Sequence, residues 1–100
     1  MTWFQEGMRQ EGAYMISWDY KVQDLQGLHV RPLAKIMTRL KGFRCQVQVM
    51  NKGKKVEISD LMGVLALEVQ EGDILKFQFE GEDEKAASEA LSGLFPEIRL

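Results

Sequence analysis

Histidine and cysteine occur once each, as His29 and Cys45, and proline only twice. A lone cysteine excludes an intrachain disulfide and any cysteine-rich metal cage, and it fits a reducing, cytoplasmic compartment. A lone imidazole excludes chemistry that needs two. Basic charge is not in excess either. Thirteen Lys and Arg stand against 15 Asp and Glu, for a formal net charge of −2, which argues against a dedicated nucleic-acid binder. No apolar run approaches the roughly 20 residues that cross a bilayer, so no membrane insertion is expected. The opening stretch MTWFQEGMRQEG holds no continuous apolar segment and does not read as a secretory signal.

What is present suffices for one domain. The chain has 100 residues, 45% of them hydrophobic, and a chain of that size can bury roughly two-thirds of its unfolded surface. Its charges are unevenly placed. Positions 1–67 carry ten basic and six acidic side chains, whereas 68–100 carry three and nine. Solvated helix faces explain such a split, and so does a basic recognition surface in the first part.

Residues 1–13 read as a tail without sustained period, and order begins sharply after them. Ile16, Trp18, Tyr20 and Val22 alternate with polar residues, the period of a half-buried strand. Val30, Leu33, Ile36, Met37 and Leu40 then recur at helical spacing, with Pro32 in the first turn and Gly42 at the end. Cys45, Val47 and Val49 form a second strand, joined through the turn residues Asn51, Lys52 and Gly53 to an arm holding Val56 and Ile58. Ser59 and Asp60 supply a cap for a helix of about two turns over LMGVLALEV. Leu75, Phe77 and Phe79 mark a fourth strand. The acidic run Glu82, Asp83 and Glu84 suits the start of a last helix, with Ala86, Ala87, Ala90, Leu91, Leu94 and Phe95 inward and Pro96 ending it. The order β-α-β-β-α-β-α predicts an α+β, open-faced β-sandwich: a four-stranded antiparallel sheet with three helices on one face.

No triad or metal-ligand spacing is present, and no metal or cofactor is expected. His29 stands out by position, between the loop Gln26-Gly27-Leu28 and the first turn of a helix. A helix start presents unpaired N–H groups and partial positive charge, which attract phosphate and disfavour an imidazolium. Arg31 adds a guanidinium suited to phosphoryl oxygens. By themselves these residues favour a capping or surface histidine. A phosphoryl-accepting one is the alternative they leave open.

Gly27-Leu28-His29-Val30-Arg31-Pro32 resembles the active-site signature GLHARPA of HPr, the histidine-containing phosphocarrier family of the bacterial phosphotransferase system. Asp60-Leu61-Met62-Gly63-Val64-Leu65-Ala66-Leu67 is similar to its SIMGVMSL stretch. Asn51-Lys52-Gly53-Lys54 resembles its hairpin, and Gly72-Asp73 and Glu80-Gly81-Glu82-Asp83-Glu84 its last strand and helix, in register over about 15–95. The resemblance implies a relay. Phosphorylated enzyme I would pass a phosphoryl group, derived from phosphoenolpyruvate, to the δ nitrogen of His29, with Arg31 holding its oxygens, and an enzyme IIA-type domain would receive it. It further implies a partner surface of Leu61, Met62 and Leu65 ringed by Lys35, Thr38 and Lys41, on a cytoplasmic, monomeric phosphocarrier rather than a stand-alone enzyme. Read without the resemblance, Leu61, Met62 and Leu65 are ordinary core positions of a short helix.

Met15 lies where a chain of that family ordinarily begins, so the resemblance implies a domain over 15–100 and makes 1–14 either a flexible extension or an upstream start. Four departures stand out. Val30 and Leu33 replace alanines, Glu68 stands where glycine is common, and Asp60 occupies the position of the serine that HPr kinase phosphorylates. Ser59 beside it is out of register for the kinase and reads as a cap. These changes motivate a second reading, a regulatory protein-binding module with little or no relay. A third, a small-molecule sensor on an open sheet, rests on fold analogy alone.

Overall fold

A computed structural model describes residues 15–100. The expected extension, 1–14, lies outside the described residues. The elements run β1 (Ile16–Lys21), α1 (Val30–Leu40), β2 (Gln46–Asn51), β3 (Lys54–Glu57), α2 (Leu61–Leu65), β4 (Ile74–Glu80) and α3 (Glu84–Ile98). The strands form one antiparallel sheet in the order β1-β4-β2-β3. The fold is therefore the predicted α+β arrangement.

β4 is central, and its alternation decides where the core lies. Leu75, Phe77 and Phe79 are fully buried, pairing across β1 with Tyr20, Trp18 and Ile16. Val47 and Val49 of β2 lie opposite Phe79 and Phe77. Against this face pack Leu33 and Ile36 of α1, Val64 of α2, and Leu91, Leu94 and Phe95 of α3. The other face carries Ser17, Asp19, Lys21, Gln46, Gln48, Lys76, Gln78 and Glu80 in the alternate positions, as a sheet covered on one side requires.

The remaining differences from expectation are local. Val30 is 55% exposed because the first turn of α1 overhangs the core, and Pro32 and Leu33 are the residues that reach inward. Cys45 precedes β2 rather than belonging to it. α2 is five residues, not two turns, and its cap is Asp60 rather than Ser59: the carboxylate Oδ1 accepts the Gly63 N–H at 3.0 Å. On α3, Ala86 is exposed and Ser88 buried in its stead. The Ser88 hydroxyl accepts the Trp18 Nε1–H at 2.8 Å, which satisfies an indole donor that burial would otherwise strand. Pro96 does not end α3, which continues to Ile98. Both Pro96 and Ser92, whose carbonyl loses its partner, are exposed, so water can take up the freed acceptor. Buried Leu94, Phe95 and Leu100 hold the last turn in place.

Candidate functional site

The loop from β1 to α1 is pinned at almost every residue. The Val22 N–H donates to the Asp73 carbonyl, and those of Gln23 and Asp24 both donate to the main-chain oxygen of Leu100. The Asp24 side chain accepts the Gln26 N–H at 2.9 Å while its carbonyl accepts the Gly27 N–H at 2.8 Å. Gly27 has φ +70°, and a Cβ there would run into the Val69 carbonyl. Only glycine permits this approach. It brings the Leu28 N–H to the Val69 carbonyl at 3.2 Å and sinks Leu28 into the core.

His29 comes next, with buried Leu28 behind it and buried Pro32 and Leu33 ahead. It is the N-cap of α1: its backbone is extended and its carbonyl accepts the Leu33 N–H at 3.1 Å. The imidazole makes no capping bond. The N–H groups of Val30 and Arg31 thus stay outside the helix ladder, in the place where anions are attracted, and the ring turns outward, its side chain 36% exposed. Its Nε2 lies 3.5 Å from Asp24 Oδ2.

The ring opens onto a cleft of about 370 Å³ lined by Asp24, Arg31, Pro32, Lys35, Glu97, Ile98 and Arg99. Three cations face two carboxylates there, and Glu97 is already engaged by Arg39 at 3.3 Å. Arg31 and Lys35, singled out from sequence, are both in this cleft. Asp24 and Arg99 were missed. Asp24 sits in coil without periodicity, and Arg99 is 70 positions from His29, in the left-handed backbone that closes α3.

The other sequence-predicted residues divide. Lys35 also lines a neighbouring groove with Thr38, and Thr38 and Lys41 line a further one with Ser59. The exposed side of α1 thus runs from His29 to the start of α2. Met62 is 72% exposed, whereas Leu61 and Leu65 are half-buried against the core. Asp60 caps α2 and is exposed.

Behind the site, Asp73 staples the hairpin to the turn before β4. The Gln70 N–H at 2.9 Å holds its carboxyl below the usual carboxylate range, against an opposing desolvation, and the Asn51 amide and the Lys52 ammonium add to the lowering. Buried Asn51 donates to both Asp73 and the Leu67 carbonyl. Among the described residues no three His, Cys, Asp or Glu side chains gather where they could hold a metal ion, and no helix is long and apolar enough to cross a membrane.

The family described as "PTS HPr component phosphorylation site" matches residues 16–97. The phosphocarrier protein HPr of Xylella fastidiosa strain Temecula1 is 33% identical over 81 residues, covering 81% of this chain and 91% of its own. The crystal structure of HPr-C-His from Thermoanaerobacter tengcongensis is similar with a TM-score of 0.73 and 33% identity, over 78% of this chain and 88% of that one. A histidine-containing phosphocarrier protein of Mycoplasma shares the fold with a TM-score of 0.78 at 21% identity, over 82% and 93% of the two chains.

Proposed function

Since the chain belongs to the HPr family of phosphotransferase-system phosphocarriers, we propose that His29 takes a phosphoryl group from phosphoenolpyruvate-phosphorylated enzyme I and hands it to an enzyme IIA-type domain. The observation that carries this reading is the outward-turned imidazole at the N-cap of α1, which makes no capping bond and stands beside uncapped N–H groups and a cleft with Arg31, Lys35 and Arg99. In the transfer the Nδ1 lone pair attacks phosphorus. The bond from phosphorus to the donor breaks and its electron pair leaves with the donor. The Arg31 guanidinium and the Val30 and Arg31 N–H groups hold the phosphoryl oxygens through charge-assisted hydrogen bonds. No small-molecule reaction belongs to the chain itself, and it acts as a cytoplasmic monomer.

Partners dock along α1 and α2, where Met62 with Leu61 and Leu65 provides the apolar contact and Lys35, Thr38 and Lys41 the polar surround. Thioether and leucine side chains repack readily, which suits a surface that meets donor and acceptor in turn. Incubation with enzyme I and phosphoenolpyruvate tests the relay. The expected result is an acid-labile mass gain of about 80 Da, absent in His29→Ala and lost again to a competent enzyme IIA. No gain with several active enzyme I preparations overturns it.

Asp60 favours a regulatory output beside the relay. It places a fixed negative charge at the start of α2, where it already serves as cap, in the position of the phosphorylatable serine. Binding to a regulatory protein that survives His29→Ala but fails in Met62→Asp would identify that output.

A further inference from the structure

We propose that Asp24 is a positioning residue for His29: it holds the imidazole in the tautomer that keeps its proton on Nε2 and leaves Nδ1 with a free lone pair. The inference deepens the relay reading, although the tautomer itself is decided without it. Asp24 is held from three sides before it meets the ring. Its N–H donates to the main-chain oxygen of Leu100, its carbonyl accepts the Gly27 N–H, and its Oδ1 accepts the Gln26 N–H. With Oδ1 so engaged, the remaining oxygen, Oδ2, faces Nε2 at 3.5 Å. That separation is ion-pair range, a few tenths of an ångström beyond a hydrogen bond, and contacts of this kind tighten when the reacting complex forms.

The surroundings leave Asp24 alone in this role. Arg31, Lys35 and Arg99 line the cleft, and none of them accepts a proton from the ring. Glu97, the other carboxylate of the cleft, is spent on Arg39. Among the described residues Asp24 is the one acidic group within 4 Å of an imidazole nitrogen. An acceptor facing Nε2 fixes the proton there and orients the ring, as second partners do for histidines generally. As Nδ1 bonds to phosphorus, the donor bond breaks and its electron pair departs. The ring then gains positive charge while the Nε2 proton stays in place, and the Asp24 carboxylate lies on the side where that charge is carried.

The same carboxylate also builds the turn at Gln26, so the test must separate orientation from folding. Asp24→Asn does so. Its amide oxygen keeps the Gln26 N–H, which leaves the NH₂ group facing Nε2, donor against donor. The ring proton must then move to Nδ1 and block the nucleophile. Long-range ¹H–¹⁵N spectra of the neutral ring are expected to show the Nε2–H form in the parent and the Nδ1–H form in Asp24→Asn. Phosphoryl uptake in a single turnover with phosphorylated enzyme I is expected to fall about tenfold or more in Asp24→Asn and less in Asp24→Ala. A residue that only shaped the turn would give the reverse order, with Asn harmless and Ala damaging. That order, or an unchanged tautomer in Asp24→Asn, overturns the proposal. The spectra need no enzyme I, so a parent chain that takes up no phosphoryl group would overturn the relay and leave the role of Asp24 decided by the tautomer.

Discussion

Single residues set the geometry of the site through backbone constraints as much as through their functional groups. Gly27 is the clearest. Any side chain there meets both a left-handed backbone and the Val69 carbonyl, so Gly27→Ala is expected to cost about 3 kcal/mol from strain and overpacking together. Thermal unfolding measures this, and an unchanged melting temperature would show that the loop has room to move. Cys45 is a different kind of residue, a thiol outside the cleft beside His29. Burial pushes it up to about 11, with the nearby carboxylates of Glu84, Asp83 and Glu80 adding to the rise and a backbone hydrogen bond at Glu80 opposing it. Against an ordinary value of 9.0, alkylation at pH 8 is expected to run about 100-fold slower in the folded chain than in urea. Because the folded thiol holds its proton more tightly than the unfolded one, its contribution to stability is present below about 9 and is lost as pH rises toward 11.

At the scale of elements, the short α2 shows how a family position and a backbone angle disagree. Glu68 follows α2 with φ +52°, a conformation that costs a residue with a Cβ about 1–2 kcal/mol. Glycine is common in the family at this position. Glu68→Gly is therefore expected to raise stability by about 1 kcal/mol, seen as a higher urea midpoint at unchanged slope; a lower midpoint would mean that the left-handed turn carries no strain. The hairpin divides, since Lys52 and Gly53 take φ +52° and +84°, the pair that a two-residue turn of this hand requires. At Gly53 sequence and backbone agree, whereas Lys52 bears the same left-handed cost as Glu68. In α1 the departure at Val30 falls on an exposed position beside His29, so it alters what a partner meets rather than how the helix packs.

Across the whole molecule, α3 reaches back to the site. Leu100 is fully buried, and its main-chain oxygen accepts two N–H groups, those of Gln23 and Asp24. The last turn of α3 thus holds the strand end from which Asp24 and His29 are presented, and it adds Arg99 to the cleft. Leu100→Ala is expected to cost about 2–5 kcal/mol as a core truncation. It should also speed amide exchange at Gln23 and Asp24 more than at Phe77 in central β4, and equal acceleration at all three would show that the chain end stabilises the fold without anchoring the site in particular.

Periodicity alone determined the element order, the inward residues of β1, β2 and β4, and the place of His29 at a helix start. These are short-range properties, written in neighbours two to four positions apart, and a sheet with one covered face follows from them. The register of the motifs carried the family. Tertiary structure alone decided that Asp24 faces Nε2, that Arg99 joins the cleft, that Ser88 rather than Ala86 turns inward, and that Pro96 stays inside its helix. Each of these depends on groups brought together from distant positions, or on which side of an element meets water. A lone histidine and a small net charge first served only to exclude functions. In the folded chain that one imidazole is backed by a carboxylate and faced by three cations, because packing, not composition, sets what surrounds a side chain.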